Sequence, residues 1–248
     1  MEPLRPAKIL HTSDCHLDKV DDGLRQRAFA ASIDLSIELD VDLLLITGDL
    51  FDHDRVDDPI LDWAAEQLNR ANRPVVLLVG NHDCLDERSV HHRFAAESRC
   101  RQVQFIDDPM GMSVEVPGTD IEVWGRAMVE HVPSFRPLSG SPARSAGRWH
   151  VIAGHGLAVG AGADTRRSSL IFLDDIDSLD ADYVALGHIH AHEVLRQQPL
   201  TAYAGATSYS RNGRPGCVII DLVDAHAPQL TWTELTPRAS VLVEDALG

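Results

Sequence analysis

The sequence predicts an α/β fold in which a parallel sheet covered on both faces by helices is followed by a second, more antiparallel sheet. Three observations carry that expectation. In the first hundred residues, short near-continuous apolar segments alternate with longer helical ones, and strands buried on both faces read as unbroken hydrophobic runs. Past Arg101 the apolar segments shorten and turn residues separate them, which marks a further sheet. The early apolar strands each stop at a cluster of Asp, His, Asn and Gly, and open α/β sheets place ligands at the carboxyl ends of their strands.

Taken in order, Ala7 to Thr12 (AKILHT) reads as a buried strand, and Leu24 to Leu39 reads as a helix with Ala28, Ala31, Leu35 and Leu39 on one face. Asp42 to Thr47 (DLLLIT) is a second strand. Pro59 to Ala71 is a helix with its proline in the first turn, where the missing N–H leaves no bond unmade. Pro74 to Val79 (PVVLLV) is the third strand, joined to the others by right-handed crossovers. The later strands are Ser113 to Val116, Ile121 to Trp124, Trp149 to Ala153, Tyr183 to Leu186, Cys217 to Leu222 and Leu230 to Leu235. Between them, Pro133 to Arg148 (PSFRPLSGSPARSAGR) is a long surface loop rich in Pro, Ser, Gly and Arg. It is not a domain boundary, because chemistry-bearing motifs stand on both sides of it. Residues 1–248 are expected to form a single domain.

Composition excludes several classes. With 44% hydrophobic and 24% charged residues the chain is globular rather than disordered or fibrous. Its longest apolar runs, Leu43 to Ile46 and Val75 to Val79, fall far short of the roughly 20 residues that cross a bilayer, so no membrane association is expected. Met1 to Lys8 holds two prolines and no apolar core of a signal peptide. Cys15, Cys84, Cys100 and Cys217 form no C-x-x-C pair or disulfide framework, which fits a reducing cytoplasm. Two values stand out: a net charge of −16 and 13 His. Many His beside many Asp point to bound cations.

Five strand ends carry candidate ligands: Asp14-Cys15-His16, Gly48-Asp49-Leu50-Phe51-Asp52, Gly80-Asn81-His82-Asp83, Gly154-His155-Gly156 and Gly187-His188-Ile189-His190. Asp14 and His16 stand two apart, so on an extended backbone they leave one face together while Cys15 turns away; His188 and His190 repeat the spacing. Carboxylate, imidazole and amide oxygen form a ligand set suited to Mn, Fe or Zn and ill suited to Ca or Cu(I). The candidates outnumber the ligands of one ion, and two ions about 4 Å apart sharing one carboxylate account for them. Taken alone, an Asp-x-His is weak: Asp224-Ala225-His226 precedes Pro228 and reads as a solvated turn.

Those five motifs, in that order, resemble the calcineurin-like metallophosphoesterases over Ile9 to about Arg211. The resemblance implies a four-layer α-β-β-α sandwich of two mixed sheets flanked by helices, with a dimetal site at the strand carboxyl ends. By position, Asp14, His16, Asp49 and His190 would hold one divalent ion, and Asp49, Asn81, His155 and His188 the other, with Mn the first expectation. His82 would be the catalytic histidine at the leaving oxygen, Asp52 the carboxylate that orients it, and a metal-bridging hydroxide the nucleophile.

The wording of His11 to Leu17, Gly48 to Asp52, Ala185 to His190 and Tyr203 to Ser208 is closer still to the DNA repair exonucleases of the SbcD type, although Ala206 replaces a usual serine. That implies a phosphodiesterase acting on DNA. Among the residues near the motifs, Tyr203 or Tyr209 offers a ring beside the metals and Arg211 a phosphate contact, so Tyr203 and Arg211 are the candidate substrate contacts. Relatives of this type dimerise through early helices, here Leu24 to Leu39 and Pro59 to Ala71, so a homodimer is a further implication. They also continue into a capping domain and a segment that docks on a coiled-coil ATPase. This chain stops at Gly248, so a solitary phosphoesterase is expected rather than an ATPase partner.

Net charge pulls the other way. At −16 the chain repels a polyanion, and two divalent ions improve this only to −12 (−16 + 4). Arg88, Arg93, Arg99, Arg101, Arg136, Arg144, Arg148, Arg166, Arg167, Arg211 and Arg214 either ring the cleft as phosphate contacts or are scattered solubilising charges. The alternative to DNA is a small phosphodiester or phosphometabolite, and a third reading is a non-catalytic scaffold on the same fold.

Overall fold

The computed structural model describes residues 3–19, 23–164, 166–208 and 213–236. Its first half builds β1 (Ala7–Thr12), α1 (Leu24–Glu38), β2 (Leu43–Thr47), α2 (Asp58–Ala71), β3 (Val75–Leu78), α3 (Val90–Phe94), α4 (Ala96–Arg99) and β4 (Val103–Ile106). Next come β5 (Met112–Glu115), β6 (Ile121–Gly125), β7 (Trp149–His155), β8 (Leu157–Val159), β9 (Leu170–Phe172) and α5 (Leu173–Asp177). The chain then forms β10 (Tyr183–Gly187), β11 (Glu193–Gln197), β12 (Leu200–Tyr203), β13 (Gly216–Leu222) and β14 (Gln229–Glu234).

Two six-stranded sheets result, with orders β14-β13-β1-β2-β3-β4 and β11-β12-β10-β7-β6-β5. Side-chain alternation sorts the core into layers. Leu10, Leu44, Ile46, Val75 and Leu77 face the helices, packing with Phe29, Ile33, Trp63 and Leu68 of α1 and α2. Their neighbours Ile9, Leu43, Leu45, Val76 and Leu78 face the other way, into the space between the sheets, where they meet Val123, Val151, Ala153 and Ala185. On the far side of the second sheet, Trp124, Ile152, Val184 and Leu186 are covered by Leu138, Ile171 and Ile176. The outer layer there is thin, one five-residue helix with the β8–β9 ribbon and a loop.

The second sheet is not the more antiparallel one. Each sheet contains three parallel and two antiparallel pairings. Strands β13 and β14, expected with the later strands, belong to the first sheet. β13 pairs antiparallel with the outer edge of β1, Ala7 opposite Leu222, and so covers an edge that would otherwise lie open. Residues 133–148 form no regular element, yet Phe135 and Leu138 are buried and tie that loop down.

Candidate dimetal centre

The site begins where β1 ends. Asp14 and His16 do not sit on extended backbone, as their spacing implied; both adopt left-handed conformations, φ 52 and φ 49. The chain there is zipped onto the loop after β2 by Asp14 N–H to Gly48 O (3.1 Å), His16 N–H to Asp49 O (2.9 Å) and Leu17 N–H to Leu50 O (2.8 Å). Cys15 between them is fully buried among apolar side chains. Glycine is required at two points where loops cross closely. A Cβ on Gly48, at φ +92, would stand 2.3 Å from His155 Nδ1, and one on Gly80 would stand 2.1 Å from Asp49 Oδ1.

The seven residues expected as metal ligands converge. His16 Nε2 lies 3.1 Å from His190 Nε2, and Asp14 Oδ1 lies 3.5 Å from His190 Nε2. Asp49 Oδ2 stands between two groups, 3.8 Å from His16 Nε2 and 3.3 Å from His155 Nε2. Asn81 Oδ1 completes the second group, 3.1 Å from His155 Nε2 and 2.8 Å from His188 Nδ1. Ligand atoms of Asp14, His16 and His190 lie within 4.8 Å of one another, as do those of Asp14, Asp49 and His155.

These residues fit a pair of cations. Asp14 Oδ1 is buried and has no hydrogen-bond partner, a costly state for a carboxylate oxygen unless a cation completes it. His155 Nδ1–H donates to Thr47 O at 2.8 Å, which turns Nε2 and its lone pair to the site. Burial disfavours charge on His155, but Asp49 and then Asp14 outweigh it and push its pKa up to about 10. Burial also works against ionisation of Asp49, yet His155 holds it well below the usual carboxylate range. Burial and the neighbouring His155 push His188 down to about 4.

His82, half-exposed at the rim, has its peptide N–H bonded to Asp49 Oδ1 at 2.8 Å. Its Nδ1 lies 2.8 Å from the backbone carbonyl of Asp52. A carbonyl only accepts, so Nδ1 carries a proton and Nε2 is left for a ligand. This revises the role expected for the Asp52 side chain. Its carboxylate stands 3.6 Å from His82, but 3.0 Å from His16 Nδ1 and 2.9 Å from Arg25. Burial opposes its ionisation, and the Arg25 guanidinium overcomes that and holds its pKa down.

Tyr203 is not a substrate contact. It is 1% exposed, and its hydroxyl donates to Gly156 O at 2.8 Å and accepts from Ala158 N–H at 2.7 Å. Tyr209 and Arg211 lie outside the described residues. Much of the expected arginine ring is paired with acids: Arg93 with Asp58, Arg99 with Asp62, Arg144 with Asp182, Arg148 with Glu115, Arg166 with Asp164 and Arg214 with Glu234. Arg88 and Arg167 line cavities beside the site.

Sequence reasoning gave no role to Asp83. Its carboxylate is 1% exposed and accepts from four backbone N–H groups: Gly80 (2.7 Å), Leu50 (2.9 Å), Asp49 (3.2 Å) and Phe51 (3.3 Å). His91 Nε2 adds a contact at 3.1 Å. One side chain thereby fastens the Asp49 loop to the Asn81 loop. The only sequence signal is a carboxylate closing the third motif.

Residues 7–192 match the profile of the calcineurin-like phosphoesterases. The chain belongs to that family. It is a metal-dependent phosphoesterase. The SbcD component of the SbcCD nuclease of Bacillus subtilis is 28% identical over 92% of this chain and 69% of that protein. Among solved structures, TT1561 of Thermus thermophilus superposes with a TM-score of 0.62 at 12% identity, covering 94% of this chain and 100% of the other. A dimetal phosphatase from Danio rerio superposes with a TM-score of 0.56 at 10% identity, covering 95% and 100%. These likenesses establish the fold. Among the described residues no helix is long and apolar enough to cross a membrane.

Proposed function

We propose that this phosphoesterase is a two-metal phosphodiesterase acting on nucleic-acid ends, a DNA exonuclease in activity, with Mn as its metal and Fe or Zn as other ions its ligands accept. The choice of a polymer rests on one observation, the course of residues 133–148. Phe135 and Leu138 anchor that loop in clusters beside and behind the second sheet, and none of its residues lines either cavity at the site. Among the described residues this loop forms no lid over the site, and a cleft left open on that side suits a chain end, whereas a small substrate calls for a lid. The similarity to a nuclease component over most of this chain supports the same reading. Four free, buried cysteines agree with residence in a reducing cytoplasm.

Two divalent cations held by Asp14, His16, Asp49, Asn81, His155, His188 and His190 would neutralise phosphoryl charge and make water a competent nucleophile at neutral pH. The chain's own part lies around them. Asp49 is shared between both ligand groups, so the two positions cannot move independently. The Asp52 carboxylate, anchored by Arg25, steadies the His16 ring. His82 keeps its Nδ1 proton on the Asp52 carbonyl, and in the imidazolium form Nε2–H gives a proton to the leaving oxygen. The Asp52 carboxylate at 3.6 Å favours that cation.

A second reading, a small phosphodiester as substrate, draws on the net charge of −16 and on the pairing of most arginines with acids. The two separate in one experiment. Mn-loaded protein is incubated with end-labelled DNA across a range of salt and, in parallel, with an activated aryl phosphodiester. Progressive shortening of the DNA is expected. Aryl diester hydrolysis with DNA intact at every salt concentration would refute the nuclease and leave the small-substrate enzyme.

A further inference from the structure

Two cavities, about 330 and 200 Å3 in volume, flank the candidate ligands and share Asn81 and His131 in their linings. His131 Nε2–H donates to the Asn81 carbonyl at 2.8 Å, so this side chain is pinned to the ligand loop as a wall between the two spaces. The smaller cavity contains His82 together with Asp54, Asp86 and Arg88. The larger is lined by His188, Leu157, Arg167, Ser168 and Ser169 as well as the shared pair. Its outer wall is the β8–β9 ribbon, which the Tyr203 hydroxyl holds through Gly156 O and Ala158 N–H. At Gly156 there is no room for a side chain, since a Cβ would lie 2.1 Å from Ser169 O.

A phosphodiester has two ester arms, and the leaving one must meet His82. That places the leaving arm in the smaller cavity and sends the retained arm to the other side of His131. A space of about 330 Å3 is within the range that holds small organic groups. In a chain of net charge −16 its lining, among the described residues, contains no carboxylate and one guanidinium, Arg167, and the nearby Asp164 that acts on this guanidinium stands outside that lining. Such a lining favours an arm that carries further negative charge.

We propose that the cavity between His131 and the β8–β9 ribbon is the subsite for the retained arm of the phosphodiester, a nucleoside whose next phosphate meets Arg167. The proposal rests on the phosphodiesterase reading and adds to it the place of the second arm. Its test uses substrates with one leaving group, 4-nitrophenolate, and different retained arms: none in 4-nitrophenyl phosphate, a nucleoside in the 4-nitrophenyl ester of thymidine 5′-phosphate, and a charged nucleoside in the 3′-phosphorylated form of that ester. Ser168→Trp fills the cavity and should lower kcat/KM at least 10-fold more on the thymidine ester than on the monoester. Arg167→Ala, which leaves the cavity open, should raise KM about 10-fold more for the 3′-phosphorylated ester than for its unphosphorylated form. Equal losses across the substrates, or no loss in either variant, overturn the subsite while leaving the phosphodiesterase intact. A wild-type enzyme that hydrolyses the monoester and neither diester overturns the phosphodiesterase reading and the subsite with it.

Discussion

Replacing Asp83 by Asn is the most informative single change, because it leaves every candidate ligand in place. The carboxylate accepts from Gly80 and Asp49 at one oxygen and from Leu50 and Phe51 at the other, with His91 also on the second. An amide keeps one oxygen and turns an NH2 group toward the donors of the other, so at least two backbone N–H groups lose their acceptor. Each buried orphan costs about 1–3 kcal/mol, which gives a loss of about 3 kcal/mol for the pair. For a domain of this size that corresponds to a fall in Tm of about 6–12 °C. Since the same bonds hold the Asp49 loop against the Asn81 loop, metal affinity should fall as well. The assay is thermal unfolding with and without Mn, alongside calorimetric titration of Mn into the metal-free protein. A Tm within 2 °C of wild type (~1 kcal/mol or less) with unchanged Mn affinity would refute the view that Asp83 fastens the two loops.

Other predictions are more local. His82→Asn should abolish turnover on substrates with poor leaving groups while metal content by elemental analysis stays at wild-type level; full activity would remove His82 from the reaction. Asp49→Ala should lose both ions on dialysis, and retention of two tightly held ions would contradict its shared position. Tyr203→Phe should lower stability by about 1–3 kcal/mol in urea unfolding, because its hydroxyl holds the start of β8; a raised KM with unaltered stability would restore it as a substrate contact. Burial and then the charge of His192 push His11 down to about 3, against about 6.5 once unfolded. Between those values the unfolded chain binds more protons, so stability is whole above pH 6.5 and falls by about 1.4 kcal/mol per unit below it. His11→Asn should flatten that slope in urea melts taken from pH 7 to pH 5.

The strand ends were legible because burial on both faces leaves unbroken apolar runs, and a polar cluster after such a run has few structural reasons to exist. Strands such as Glu193–Gln197 were not, since an edge strand with exposed residues on both faces shows neither a continuous run nor clean alternation. Membership of β13 in the first sheet depends on a pairing more than 200 residues apart, Ala7 with Leu222, and no local pattern carries it. Spacing brought Asp14 and His16 together correctly but for the wrong reason, as left-handed backbone held by Gly48 and Asp49 carbonyls does the work assigned to a pleat. Tyr203 follows the same logic in reverse. An aromatic residue close to the ligand motifs reads as a ring near the metals, yet it ends a fully buried strand and spends its hydroxyl on backbone.

The net charge of −16 looks hostile to a polyanion until its distribution is followed. Arg93, Arg99, Arg144, Arg148, Arg166 and Arg214 each offset a neighbouring acid, and exposed pairs of this kind contribute little field beyond a Debye length of about 8 Å. What a phosphate meets near the reacting centre is different. Within the site, Asp14 and Asp49 turn inward as candidate ligands, and the described lining of the larger adjoining cavity has Arg167 and no carboxylate, with Asp164 outside that lining in electrostatic reach of the guanidinium. With two divalent ions bound, the local balance around the reacting phosphate is positive although the molecule is not. Selectivity for phosphoesters then comes from short-range coordination rather than from long-range attraction, which lets an acidic surface coexist with an anionic substrate.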